Sequence, residues 1–283
     1  MTQLRQKKKE LFTADKLTVM AGPCMLESRE IAEAVLVPLK KQCQSLGVNF
    51  VFKSSFDKAN RTSGKSMRGP GLREGLKILA ELKTEHAVPI ITDIHSPNQA
   101  RQAAEVVDIL QVPAFLCEDR ELLHAAAQTG CTIQIKKGQY IAPERLVQIS
   151  NYLQSIEGCG QIAFCERGTS FGYHNLVVDF KHFDLMKALK HPVVFDATHA
   201  LQLPGAAGGA SSGKRQHIPT LARAAAATKL DGFFMEVHPE PARALSDKDT
   251  QLSIAEACDL LLQVVAFDQC ARNYPNLIFK SNP

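Results

Sequence analysis

LTVMAGPCMLESREIAEAVLVPL, residues 17–39, contains in one stretch the unit that recurs along this chain. A short aliphatic and β-branched run (17–21) gives way, past Cys24 and Glu27, to apolar residues at helical spacing: Ile31, Ala34, Val35, Pro38 and Leu39. The first pattern reads as a strand and the second as a helix. Further strands are expected at 49–54, 89–92, 107–112, 132–135, 161–165, 192–195 and 232–235. Between and after them the helical spacing returns, as in Leu76, Leu79, Ala80, Leu82 and in Ile254, Ala257, Leu260, Leu261, Val264. Eight strand-then-helix units in 283 residues point to a closed parallel (β/α)8 barrel, a TIM barrel in one domain over 17–283. A doubly wound sheet would stop at roughly five or six strands. Residues 1–16 are expected to be an N-terminal tail.

The polar residues point the same way. Reactive or charged groups follow the apolar strands: Cys24 and Glu27, Lys53, Asp93 and His95, Gln111, Lys136, Glu166 and Arg167, Asp196 and His199, Glu236 and His238. In a barrel all eight strand ends meet at one mouth, where active sites are built. Two loops also stand out. Residues 58–71 carry Asn60, Arg61, Arg68 and several glycines, while 203–213 are rich in Gly, Ala and Ser and are expected to be a mobile lid rather than a strand.

Composition limits the partners. Hydrophobic residues make up 45% and the formal net charge is only +4, part of it in the tail residues Arg5, Lys7, Lys8 and Lys9. There is no basic face interleaved with aromatics, so no nucleic acid is expected. No apolar run approaches about 18 residues and the basic N-terminus runs into Glu10, Leu11 and Phe12, so neither a membrane span nor a secretory signal is expected. Eight cysteines without a CxxC pair read as reduced thiols of a cytoplasmic protein, with Cys43, Cys131, Cys258 and Cys270 in the core.

Lys53, Lys136 and Arg167 at successive strand ends are better explained by an anionic ligand than as separate surface charges. The segment from Lys53 to Ser63 could clamp a phosphate or be a solvated basic loop. Cys24, His199, Glu236 and Asp247 offer a thiolate, an imidazole and two carboxylates, a set suited to Zn, Fe or Mn, although a lone cysteine is more often a small buried hydrophobe. His238 competes with His199 for the ligand position, and His95 reads as a satisfied polar group. GGASSGK (208–214) imitates a P-loop, but Arg215 stands where Ser or Thr would hold Mg²⁺, and no strand is expected before it.

Taken together, AGPCMLES (21–28), FKSSFDKANRTS (52–63), RGPGL (68–72), ITDIH (91–95), LQVPAFL (110–116), IKKGQ (135–139), CERGTSFGYHNLVVD (165–179), FDATHALQ (195–202) and MEVHPEP (235–241) resemble the 3-deoxy-D-manno-octulosonate 8-phosphate synthase family. The related 3-deoxy-D-arabino-heptulosonate 7-phosphate synthases have a Lys-Pro-Arg type motif where this chain has Lys58-Ala59-Asn60-Arg61. The resemblance implies a condensation of phosphoenolpyruvate with arabinose 5-phosphate in lipopolysaccharide sugar synthesis, by a cytoplasmic homotetramer. By motif position, Lys53, Ser55, Gln111, Ala114, Lys136 and Arg167 would hold phosphoenolpyruvate. Lys58, Asn60, Arg61 and Thr62 would hold the pentose phosphate, Arg61 reaching it from a neighbouring subunit. Asp93 and Gln139 would line the same pocket, and Lys53, Lys58, Asp93, Lys136 and His199 would carry the catalysis. Cys24 in the GPC motif implies the metal-dependent branch, with His199, Glu236 and Asp247 completing a divalent-metal site. A non-catalytic barrel that binds sugar phosphates is the alternative from another class.

Overall fold

The computed structural model describes residues 11–13, 15–58, 68–207 and 210–274. The chain runs β1 (Thr18–Gly22), α1 (Arg29–Ser45), β2 (Asn49–Lys53), α2 (Leu72–His86), β3 (Ile90–Asp93), α3 (Pro97–Ala103), β4 (Ile109–Val112), α4 (Arg120–Ala127), β5 (Thr132–Lys136), α5 (Arg145–Gln154) and β6 (Ile162–Glu166). It continues through β7 (Thr169–Gly172), β8 (Asn175–Val177), α6 (Lys181–Lys187), β9 (Val193–Asp196), β10 (Gln202–Ala207), β11 (Ala210–Gly213), α7 (Ile218–Ala226), β12 (Gly232–Glu236) and α8 (Ile254–Arg272). Strands β1, β2, β3, β4, β5, β6, β9 and β12 pair in parallel in that order, and β12 returns to β1 to close the barrel. These are the strands expected from the sequence, half of them set one residue further along.

Two separate layers of apolar side chains explain the alternation. Phe52, Ile90, Leu110, Ile135, Phe195 and Phe233 face the helices, while Val51, Ile91, Ile109, Val194 and Phe234 fill the barrel interior. Side chains alternate across a strand, so the residue two positions beyond an interior one also points inward. Val51 is therefore followed by Lys53, Ile91 by Asp93, Ile109 by Gln111, Val194 by Asp196 and Phe234 by Glu236. The lower turns of the interior are apolar and the mouth is polar. At the opposite end Phe12 packs into the interior cluster, and its backbone exchanges hydrogen bonds with the Gln161 side chain at 3.1 and 3.3 Å.

Several helices start at side-chain caps. Ser28 accepts from Ile31 N ahead of α1, Ser96 accepts from Gln99 N ahead of α3, and Ser253 and Glu256 form a reciprocal capping box at α8. No helix among the described residues is long and apolar enough to cross a membrane.

Several expectations need correction. The buried face of α1 is Ala32, Val35, Leu36, Leu39 and Cys43, whereas Ala34 is exposed, so the period was legible but its phase was shifted. Residues 203–207, expected not to be a strand, lie in β10, which pairs antiparallel with β11; Ala210–Gly213 of the P-loop look-alike form β11. A second hairpin, β7–β8, lies between β6 and α6. Cys270, expected in the core, is exposed, and Cys258 is half-buried. All eight cysteines are free.

Candidate active site

The mouth encloses a cavity of about 290 Å³. Its lining includes Lys53, Lys58, Lys136 and Arg167, with Asp93, Gln111, Ala114, Gln139, His199, Glu236 and Asp247 among them. All four cations are buried, and each has a partner. Lys53 Nζ lies 2.9 Å from Glu236 Oε1 and donates to the Cys24 carbonyl at 3.1 Å. Lys58 Nζ donates to Ser55 Oγ at 2.9 Å and to Asp93 Oδ2 at 3.3 Å. Lys136 Nζ bonds Asp196 Oδ2 and sits 3.5 Å from the centre of the Phe234 ring. Gln134 donates to Gln111 Oε1 at 2.9 Å, which turns the Gln111 amide towards Asp93.

These pairs fix the charges. Burial disfavours a charged Asp93, yet Lys58 and Lys53 outweigh it and hold the carboxyl below its usual range. For Asp196, His199 and Lys136 overcome burial in the same way. Burial also works against the Lys58 ammonium, but the carboxylates of Asp93, Glu236 and Asp247 hold it above the usual lysine range. Arg167 donates from Nη2 to Gln202 Oε1 at 2.7 Å, while its buried Nη1 has no hydrogen-bond partner among the described residues. A cation held this way suits an incoming oxyanion.

A second group lies beside the cations. One donor atom each from Cys24, Glu236 and Asp247 all fall within 4.8 Å of one another. His199 Nε2 approaches Glu236 Oε1 at 3.6 Å and Asp247 Oδ2 at 4.0 Å, and its Nδ1 is 2.7 Å from Asp196 Oδ2. His199 thus stands with one ring nitrogen on Asp196 and the other facing two carboxylates, close enough to share a cation with them. Two further observations fit a divalent metal. Glu236 Oε2 is buried with no hydrogen-bond partner among the described residues. The Cys24 thiol is pushed well above its usual range by burial, Asp247 and Glu236, so only a nearby cation favours its thiolate. The donor set of sulfur, imidazole nitrogen and two carboxylates suits the borderline metals.

A family model described as the DAHP synthetase I family matches residues 2–270. The chain belongs to the DAHP synthetase I family. A Synechococcus sp. 2-dehydro-3-deoxyphosphooctonate aldolase is 52% identical over 240 residues, spanning 85% of this chain and 84% of that protein. The enzyme of the same name from Bordetella bronchiseptica is 47% identical over 259 residues, 90% and 91% of the two chains. That from Trichlorobacter lovleyi is 46% identical over 256 residues, 90% and 94%. The resemblance read from the motifs is borne out.

Within this member of the DAHP synthetase I family, the structure brings together Lys53, Ser55, Lys58, Asp93, Gln111, Ala114, Lys136, Gln139 and Arg167 at the cavity or one hydrogen bond from it. Asn60, Arg61 and Thr62 lie outside the described residues. His238, the rival ligand, is turned elsewhere: its Nδ1 accepts from Glu240 N at 3.0 Å, and its Nε2 lies 3.6 Å from Glu27 Oε1. His95 hydrogen-bonds Gln99, as a satisfied polar group would, yet it also lines the cavity. Sequence reasoning gave no role to Gln202, which donates to Asp247 Oδ1 at 2.8 Å while accepting from Arg167. It also missed Ser246 and Gln251, which hydrogen-bond Cys24. Only the closeness of Gln202 to His199 in FDATHALQ hinted at a part.

Proposed function

We propose that this mouth condenses phosphoenolpyruvate with D-arabinose 5-phosphate and water, releasing 3-deoxy-D-manno-octulosonate 8-phosphate and inorganic phosphate for lipopolysaccharide sugar synthesis. The observation that carries this reading is the convergence of four buried cations on one small cavity beside the Cys24 group. Both substrates carry phosphate and one a carboxylate, and the relatives' shared name agrees.

Lys53, Ser55, Gln111, Ala114, Lys136 and Arg167 hold phosphoenolpyruvate, Arg167 through its unpartnered Nη1. Lys58, Asn60, Arg61 and Thr62 hold the phosphorylated pentose. In this aldol-type transfer the enol C3 bonds to the aldehyde carbon, and water supplies hydroxide to C2 and a proton to the sugar oxygen. The hemiketal phosphate then breaks its C–O bond, forming the ketone, and phosphate leaves with the hydroxyl proton. Cationic side chains matter at each stage because negative charge develops on oxygen. Lys58, held charged by its acidic neighbours, relays the proton: Nζ gives one to the sugar oxygen and takes back the one water releases. Asp93 and Asp196 keep Lys58 and Lys136 in place between turnovers. Cys24, His199, Glu236 and Asp247 would hold a divalent metal, Zn, Fe or Mn, which when bound supplies positive charge and orientation to the aldehyde or the water.

We further infer a catalytic barrel over 17–283 preceded by the segment 1–16, and a cytoplasmic homotetramer. The free thiols and the exposed Phe171 and Tyr173 of the β7–β8 hairpin, 75% and 99% accessible, are consistent with this reading. Light scattering tests the assembly. For the chemistry, Lys136→Ala should fold and lose phosphate release by about two orders of magnitude. Release at the wild-type rate would leave only a sugar-phosphate binding barrel.

A further inference from the structure

Lys137 is adjacent to Lys136, yet it faces away from the cavity. It is fully buried, with Nζ 3.6 Å from Glu166 Oε2 and donating to Thr169 Oγ1 at 3.0 Å. Glu166, equally buried, accepts at Oε1 from two successive backbone groups, Arg167 N at 2.9 Å and Gly168 N at 2.7 Å. His182 Nδ1, from α6, lies 3.2 Å from Oε2. One carboxylate thus ties down the turn that carries Arg167, and a buried ammonium balances its charge. Gly168 is needed in this turn: its φ is +93°, and a Cβ there would lie 3.1 Å from Leu176 Cβ of the β7–β8 hairpin.

We propose that the Glu166–Lys137 pair positions Arg167, setting the direction of the guanidinium and hence the affinity for the phosphoenolpyruvate anion. This rests on the reading that Arg167 holds that anion. Glu166 fixes Arg167 at its backbone and Gln202 fixes it at Nη2, which leaves Nη1 for the ligand. Lys137 touches no substrate. A pair with no charge on either side, but with an oxygen still accepting the two N–H groups, should serve almost as well, because removing one partner of a buried ion pair costs far more than replacing both.

Steady-state constants for both substrates test this in four variants. Arg167→Ala checks the underlying reading: a phosphoenolpyruvate KM that fails to rise would remove Arg167 from the site. If it does rise, Glu166→Ala should raise the phosphoenolpyruvate KM about tenfold while the pentose phosphate KM stays within about twofold. Lys137→Met should shift in the same direction, and Lys137→Met/Glu166→Gln should return to within about threefold of the parent. An unchanged phosphoenolpyruvate KM in folded Glu166→Ala would overturn the proposal, as would a parallel loss for both substrates. Should Glu166→Ala fail to fold, a double variant no better than Lys137→Met alone would overturn it.

Discussion

At the scale of single residues, the site depends on buried charges that neutralise one another until substrates arrive. Lys136 belongs to Asp196, Lys53 to Glu236 and Lys58 to Asp93, so removing either partner leaves a buried charge uncompensated. Cys24 differs, because its thiol is set among carboxylates that oppose ionisation. If Cys24, His199, Glu236 and Asp247 hold a divalent ion, chelation should abolish turnover and added ion should restore it. Cys24→Ala should retain less metal than the parent after gel filtration, read by elemental analysis. Metal content equal to the parent's would remove Cys24 from the ligand set. Cys24→Asn should keep part of the activity, since an amide occupies the position without requiring a metal; an assay with and without added ion checks this.

At the scale of elements, strands position chemistry two residues beyond their apolar interior residues. Gly22, at the end of β1, shows how tightly the strands meet: a Cβ there would lie 2.0 Å from the Lys53 carbonyl oxygen of β2. Gly22→Ala should force β1 from β2 beside Cys24 and Lys53, destabilising the fold by about 3 kcal/mol. Urea unfolding measures this, and an unchanged midpoint would contradict the packing. The same alternation explains what the sequence made legible. Val51 to Lys53 and Phe234 to Glu236 are readable because a period of two is local. The partners are not, since Lys136 and Asp196 meet only once the barrel closes. The β7–β8 and β10–β11 hairpins escaped because SFGYHN and LPGAA lack the apolar alternation of strands packed on a core; their pairing is backbone to backbone. In α1 the period was readable but the phase was not, because alanines at 32 and 34 look alike and only packing selects Ala32.

At the scale of the whole molecule, the closed barrel concentrates ionised carboxylates at one end. Asp93, Asp196 and Glu236 are held below their usual ranges, and Asp247 is held at about 2, its opposing burial outweighed by His199 and Lys58. The unfolded chain binds these protons at higher pH than the folded one, so stability from these groups is present above about pH 4 and lost as the pH falls towards about 2. The urea midpoint should be nearly level from about pH 7 to 5 and then drop steeply; a level midpoint down to about pH 3 would mean that these carboxylates are not ion-paired in the fold. The four buried cations beside these carboxylates define the substrate demand, two phosphorylated reactants in one small mouth. The most direct test supplies the purified enzyme with phosphoenolpyruvate and either arabinose 5-phosphate or erythrose 4-phosphate, and follows phosphate release. Faster release with the five-carbon sugar is the predicted result, whereas faster release with the four-carbon sugar would contradict the assignment.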